Sequence, residues 1–480
     1  MNWQEKAIKC LKSSLYPIPV ELNEIDWKSG LSSKTDRLAQ HLCAFSNQEG
    51  GGFLVYGVND DATLFSVGKV QADEIIKTLG NIARNNLIQP VKIEHATVDF
   101  DGHSLLFIHI PESAEKPVYL RSGTIYDTYR RSAGSTVKMT RQEVKQIIAE
   151  SQGLLFHEQV AMEQATADEV LKLLNYDQYF TLSKRNLPEN KTAILEVLAN
   201  EGFVVRQGDK WKITNLGALL FARDLTKFRD LEFKTLRIIV YTGKNRINAY
   251  PELNFKEGYA CGFDHYVQFI MERTSVEVIE KVFREVKETY PEKTVRELLA
   301  NSMIHQNLWQ TGTHTMVEIF SDRLEITNPG VPLVEVNRFI DTPPKSRNEK
   351  IAILMHQYDF CELRGSGVDR AIEAVEKAIL PAPKFIKGDF YTKVIIYPKK
   401  TFSEMSKEDR IRACYQHCCL RYMDNEKMTN QSFRERMGID EKNYPMASKV
   451  IKDTVNSGLI RGYYPDNVVK KATCYIPYWG

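Results

Sequence analysis

The chain has 480 residues, 43% of them hydrophobic and 26% charged, with a formal net charge of +2. Those values exclude a disordered chain and a globally basic nucleic-acid binder, and the length calls for several cores rather than one. Irregularly spaced cysteines with no CxxC pair fit a reducing compartment, and the opening MNWQEKAIKCLKSS lacks the apolar core of a secretory signal, so a cytoplasmic location without membrane contact is expected.

An amphipathic opening helix is broken at Pro17 and Pro19. In VELNEIDWKSG, Val20, Leu22, Ile25 and Trp27 alternate with Glu21, Glu24, Asp26 and Lys28, which predicts an extended segment with a charged face. A helix is predicted from Thr35 to Asn47 with Leu38, Leu42 and Phe45 inward. Gly50, Gly51 and Gly52 end it, Phe53 to Val58 reads as a buried strand, and Asn59, Asp60 and Asp61 form a turn. Further on, Lys116, Arg121, Arg130, Arg131 and Lys138 crowd around Tyr119, Tyr126 and Tyr129; cations for phosphates beside rings for bases suggest a nucleic-acid surface.

Glu21, Asp26 and Lys28, then AFSN at Ala44 to Asn47, Gly51 and Gly52, GVND at Gly57 to Asp60, and YRRSAGST from Tyr129 form an ordered set. Over about residues 15–150 that order resembles the Schlafen AlbA-type domain, a family associated with DNA binding. Because such acidic residues cut RNA in animal Schlafens, the resemblance implies Glu21, Asp26 and Asp60 as a catalytic triad beside Lys28. They would hold Mg²⁺ or Mn²⁺ against a phosphodiester. Asp26 stands where the family usually has Glu, a shorter arm that puts cleavage in question.

A helix from Glu143 to His157 leads out of this region. Short helices at Ala167–Leu174 and Lys191–Asn200, followed by a hairpin of Phe203–Arg206 and Lys210–Ile213, suggest a small winged-helix-like connector. A strand at Leu236–Tyr241 and helices around Gly262–Arg273 and Val276–Thr289 precede VRELLANSMIHQNLW. In that stretch Glu297, Asn301 and His305 form one polar helical row, leaving Val295, Leu298, Leu299 and Ile304 for a core. A carboxylate, an amide and an imidazole in a row can activate water and hold hydrated magnesium. A hairpin of Thr315–Phe320 and Arg323–Ile326 follows, and later Gly365 and Gly367 open a helix in a way that suits phosphate.

Taken together, RELLANSMIH, ITNPG, SRN and RGSGVDRA resemble the ATP-binding half of a GHKL-type ATPase. More narrowly, they resemble the version found in bacterial regulators related to the C-terminal part of a DNA helicase family. The resemblance runs from about Thr214 to Pro398 and implies ATP with Mg²⁺. Glu297 would be the general base, Asn301 the magnesium ligand, and Gly365 and Gly367 would line the phosphates. Asn328 and Gly330 stand where the family meets adenine, with Asn328 in place of Asp and Pro332 in place of the second glycine, which weakens that contact.

In the predicted helix Lys407–Met423, Cys414, His417 and Cys418 share a face that could hold a metal, although buried thiols are the commoner outcome. A capped helix from Thr429 or Asn430 to Gly438, a second from Pro445 to Asn456, and strands at Leu459–Tyr463 and Val468–Ile476 follow the winged helix-turn-helix plan. Arg434, Lys449 and Lys452 are its candidate DNA contacts. Residues 401–480 hold 13 basic against 10 acidic side chains, a modest surplus for that role.

The expected fold class is therefore α+β and multidomain: a Schlafen AlbA-like nucleic-acid-binding domain (1–155), a connector (156–225), a GHKL-like α/β sandwich (226–400) and a winged helix-turn-helix (401–480). The expected function is a transcriptional regulator that binds a nucleotide and DNA or RNA, with homo-oligomerisation left open. The alternative is a metal-dependent Schlafen-like endonuclease acting in defence, with the other domains as control modules.

Overall fold

The computed structural model describes residues 2–15, 19, 22–132, 134–280, 283–341, 345–362, 367–463 and 474–480. The chain divides into two compact units, Met1–Leu155 and Phe156–Gly480. Glu21 and Gly365 lie outside the described residues.

The first unit runs α1 (Trp3–Leu15), β1 (Ile25–Lys28), α2 (Thr35–Asn47), β2 (Gly52–Tyr56), α3 (Lys69–Asn85), β3 (Glu94–Phe100), β4 (His103–Ile110), β5 (Tyr129–Ser132), β6 (Ser135–Lys138) and α4 (Arg141–Ser151). Its sheet has the order β1-β2-β4-β3, with β1 and β2 parallel and the remaining pairs antiparallel. Successive side chains leave a strand on opposite faces, so Phe53 and Val55 pack in the core under α1 while Leu54 and Tyr56 pack under α2 and α3. Burial on both faces is why β2 is an unbroken apolar run. The same alternation puts Ile25 and Trp27 of β1 in the α1 core and turns Asp26 the other way. Gly52 is required here: a Cβ on it would meet the Phe45 ring at 2.0 Å.

The second unit opens with β7 (Val160–Ala165), α5 (Ala167–Leu173), α6 (Tyr176–Leu182), α7 (Lys191–Asn200), β8 (Val204–Gln207), β9 (Lys210–Thr214) and α8 (Asn215–Phe221). It continues with β10 (Leu236–Val240), β11 (Leu253–Phe255), α9 (Tyr259–Thr274), β12 (Val276–Glu280), β13 (Phe283–Lys287), α10 (Glu292–Ile304), β14 (Thr315–Ile319), β15 (Leu324–Pro329), α11 (Glu349–Gln357), α12 (Gly367–Lys377), β16 (Lys384–Lys387) and β17 (Tyr391–Ile396). A sheet of order β11-β10-β14-β15-β17-β16 forms its centre. Alternate residues Ile238, Val317, Ile326 and Val394 meet Phe263 and Ile270 of α9 and Leu298 and Met303 of α10 in one core. That core also takes in Tyr179, Phe203 and Phe221 from the preceding segment. On the sheet's opposite face Glu318 and Glu325 are covered by Arg246, Arg323 and Lys393.

One predicted element is corrected: the helix expected over Val276–Thr289 is the antiparallel hairpin β12–β13. Val276, Val278 and Ile279 are β-branched, and their stiffness at χ1 favours a strand over a helix turn.

The chain closes with α13 (Lys407–Met423), α14 (Asn430–Met437), α15 (Tyr444–Asn456) and the antiparallel pair β18 (Ile460–Gly462) and β19 (Tyr475–Pro477). The Thr429 side chain caps α14, and Gly438 ends it at φ +62°. Most of the strand expected over Val468–Ile476 falls in 464–473, outside the described residues. The whole is a mixed α/β, multidomain chain.

Candidate functional site

Helix α10 carries Glu297 and Asn301 of the predicted row, with His305 as its C-cap, and the apolar complement, Val295, Leu298, Leu299 and Ile304, is buried as expected. Glu297 is itself only 7% exposed. Burial lifts its carboxyl above the usual carboxylate range, and its Oε2 accepts no hydrogen bond among the described residues. Helix α12 packs across α10, where Thr294 Oγ1 donates to the Ala371 carbonyl at 3.0 Å. At the start of α12 a Cβ on Gly367 would lie 2.7 Å from Glu297 Oε2 and 3.6 Å from Asn301 Nδ2. The tertiary fold thus sets Glu297, Asn301 and Gly367 against one another, and a Cβ at 367 would require the Glu297 carboxylate to move.

Asn301, His305, Asn328 and Gly367 line a cavity of ≈ 1150 Å³, including its part open to solvent. Most of its wall is apolar, with Leu298, Ile326, Val331, Phe339 and Phe385 offering flat surface for a ring. Burial holds the His305 imidazole down to about 4, so it is neutral at physiological pH. Asn328, at the end of β15, donates from Nδ2 to the Pro329 carbonyl at 3.2 Å. Gly330 adopts φ +99° and a Cβ there would sit 2.9 Å from Asn307, so it shapes the loop rather than lining the cavity. Glu297 opens instead onto a second, polar cleft that also contains His356 and Glu362, and Glu362 belongs to both.

Several wall residues carried no assigned role in the sequence: Lys345 and Ser346 from KSRN, Glu362 from ELRGSG, and the rings Phe339 and Phe385. Ser346 lies inside SRN, and Lys345 and Glu362 stand just ahead of SRN and RGSGVDRA, so these three were legible by proximity; the rings gave no signal. In the same SRN, Asn348 Nδ2 donates to the carbonyls of Ile304 at 2.8 Å and Gln306 at 2.9 Å. It thereby satisfies acceptors that the end of α10 leaves open.

In the first unit Asp26 is 1% exposed and enclosed by two cations and an imidazole. Arg131 Nη1 reaches Asp26 Oδ2 at 3.1 Å, His41 Nδ1 lies 3.2 Å from the same oxygen, and Lys28 pairs with Oδ1. Burial lowers His41 to about 4 despite Asp26. Asp60 is exposed in the turn after β2. Among the described residues, no three His, Cys, Asp or Glu side chains gather as a metal-holding group.

The basic cluster is also resorted. Arg131, 4% exposed, faces Asp26 and the Phe45 ring, so its expected place on a nucleic-acid surface is corrected: the hairpin β5–β6 turns it inward. Arg130 pairs with Glu143 at 2.6 Å and Lys138 with Asp127 at 2.7 Å, while the exposed Arg121 donates to the Leu87 carbonyl. On α15, Ala447, Val450 and Ile451 are buried and Lys449 and Lys452 are exposed; neither lysine enters an ion pair among the described residues. Arg434 on α14 bonds Asn430 at 3.0 Å. The conceivable metal face of α13 is spoken for: His417 bonds Glu376 through Nδ1 and Ser432 through Nε2, each at 3.1 Å, while Cys414 and Cys418 lie in the apolar core.

Residues 21–140 match the family model "Schlafen, AlbA_2", and residues 312–396 match the model described as "Putative ATP-dependent DNA helicase recG C-terminal", HATPase_c_4. The first match contains Asp26, Lys28 and Asp60; the second contains Asn328, Gly330 and Gly367 and begins after α10. Similar solved structures include the DIP2311 protein from Corynebacterium diphtheriae, with TM-score 0.42 and 16% identity over 99% of this chain and 97% of that one. They also include the N-terminal domain of a "Putative ATP-dependent DNA Helicase RecG-related Protein" from Nitrosomonas europaea, with TM-score 0.21 and 21% identity over 28% of this chain and 92% of that one. No curated protein matches the chain. Among the described residues no helix is long and apolar enough to cross a membrane. The chain carries a Schlafen AlbA_2 domain near its N-terminus and a RecG-type HATPase_c_4 domain in its second unit.

Proposed function

We propose that the protein is a nucleotide-responsive regulator that binds nucleic acid, with an adenine nucleotide in the cavity beside α10. The observation that carries this reading is the partnerless Oε2 of Glu297, which faces the adjoining polar cleft and lies against Gly367, itself on the wall of the largely apolar cavity with Asn301. A buried carboxylate oxygen without a partner fits a site completed by water and a cation. Asn301 would hold Mg²⁺, which supplies charge neutralisation for the phosphates when bound; Glu297 would orient and deprotonate water; Gly367 lets phosphate approach backbone. Asn328 offers an amide where the base would lie.

The α14–α15 pair with β18 and β19 follows the winged-helix plan, and it presents Lys449 and Lys452 outward as phosphate contacts. At the N-terminal site the residues do not fit a divalent metal as resident group. The Asp26 oxygens already face Arg131, His41 and Lys28, and no cleavage step is derived from them. We read that unit as contacting nucleic acid without cutting it.

Calorimetry of the full chain with ATP and Mg²⁺ tests the nucleotide half: Asn301→Ala should weaken binding at least about tenfold, and absence of binding by the wild type overturns it. For the nucleic-acid half, duplex affinity across a salt series should fall steeply, and Lys449→Ala with Lys452→Ala should reduce the log–log slope by about 2. A flat salt response would remove DNA binding from the reading.

A further inference from the structure

The segment between β15 and α11 forms one wall of the cavity through Leu333, Val334 and Phe339. Its other side belongs to the C-terminal helices. Ile340 is buried in their core with Ala413, Cys418 and Phe433. Tyr415 of α13 donates its hydroxyl to the Asn337 carbonyl at 2.5 Å, and Trp479 Nε1 donates to the same hydroxyl at 3.2 Å. The Arg338 guanidinium lies 5.0 Å above the Trp479 ring.

The opposite wall is fastened to the same helices. Helix α12 starts at Gly367 beside Glu297, and Val368 lines the cavity. One turn later Ile372 is buried in the C-terminal core. Near the end of the helix, Glu376 meets His417 of α13 at 3.1 Å and Arg436 of α14 at 3.1 Å. Between the walls, Phe339 and Phe385 stand edge to face at 5.2 Å. These rings border the large cavity on one side and, with Tyr415 and Gln416, a smaller cavity of ≈ 380 Å³ on the other. Gln416 is 5% exposed, and its Oε1 has no partner among the described residues.

We propose that α13 and α14 gate the cavity through two fastenings, Tyr415 to Asn337 and Glu376 to His417 and Arg436, so that nucleotide occupancy and the state of the C-terminal helices are coupled. The proposal rests on the cavity taking a nucleotide. Closing the 333–341 segment over a ligand moves Asn337, whose carbonyl accepts the Tyr415 hydrogen bond, and Ile340, which is buried in the C-terminal core. Packed cores shift between discrete arrangements rather than stretch, so the movement passes to α13. Coupling of this kind is reciprocal: whatever α13 to α15 bind changes nucleotide affinity by the same factor.

The test uses the full chain with adenylyl imidodiphosphate and Mg²⁺, followed by hydrogen exchange and by nucleotide dissociation. Tyr415→Phe removes one hydroxyl and Glu376→Gln one charge, so both keep side-chain shape. In the wild type the analogue should slow exchange in α10 and also in α13 and α14. Each variant should retain the effect in α10 and lose it in α13 and α14, and dissociation from Tyr415→Phe should be about five- to tenfold faster. The proposal is overturned if the wild type responds in α10 alone, or if both variants respond in α13 and α14 with unchanged dissociation. If the analogue alters exchange nowhere in the wild type, the nucleotide reading itself fails and the coupling falls with it.

Discussion

Asp26 and Glu297 are both buried carboxylates to which the sequence assigns catalysis, yet their surroundings are opposite. Asp26 is neutralised by Arg131 and Lys28, with the neutral His41 imidazole beside it, which makes it the counter-ion that holds hairpin β5–β6 against β1 and α2. Glu297 has no cation paired to it among the described residues, keeps an unpartnered oxygen and borders a cavity. A buried carboxylate with close cation partners is costly to remove, whereas one that Arg370 and Lys293 reach only from a distance, with a buried oxygen unpartnered, is a group that a ligand can relieve.

The sharpest way to break that contrast is Asp26→Ala, which leaves Arg131 buried without its anion. A loss of about 3–5 kcal/mol is expected, read by hydrogen exchange in β1 and β5 of the full chain. A loss below about 1 kcal/mol would show that Asp26 is not the clamp.

Acid provides the next largest effect. His41 and His305 are held down to about 4 against an ordinary 6.5, so between those values the unfolded chain binds protons that the native chain refuses. Stability should therefore fall as pH drops from about 6.5 to about 4, by on the order of 1–3 kcal/mol per histidine at the lower end. His305→Gln should flatten the thermal-denaturation profile in that window, and an unchanged slope would place the acid sensitivity elsewhere.

Asp369, in the first turn of α12, supplies an intermediate case: a carboxylate raised to about 7 by burial and by Asp424 and Asp341, with a partnerless Oδ1 and no place on the cavity wall. Its native form holds a proton that the unfolded form releases above 3.8, so it costs stability as pH rises through that interval. Asp369→Asn should raise Tm at pH 8 and have little effect near pH 4.

The smallest effect is expected at Glu297→Gln. Because burial raises the Glu297 carboxyl, its charge weakens the fold increasingly above 4.5. The variant should match or exceed wild-type stability at pH 8, with any gain about 1 kcal/mol or less, and lose the gain at pH 4.5. A clear loss of stability would make Glu297 a second clamp and erase the contrast.

Local rules made many of the elements legible. The bounds of α2 and α13, the cap at Thr429, the stop at Gly438 and the two-faced burial of β2 follow from periodicity and from residues a few positions apart. The row Glu297, Asn301, His305 and its apolar complement were equally plain. Where side-chain alternation competed with helical spacing, at Val276–Lys287, the local reading failed.

What each charged residue does was decided only in three dimensions. Asp26 meets Arg131 across 105 positions of sequence, a pairing that no local pattern announces. His417 looked like a metal ligand beside Cys414 and Cys418 until Glu376 and Ser432 took both its nitrogens. Tyr415 bonds the Asn337 carbonyl across 78 positions. The sequence by itself determined most of the segments that become helices and strands and the order in which the family motifs run, because short-range sterics and hydrophobic spacing act over a few residues. The partners of buried charges, and hence the division between clamp and site, belong to the tertiary structure, because desolvation and Coulomb attraction depend on distances that only folding sets.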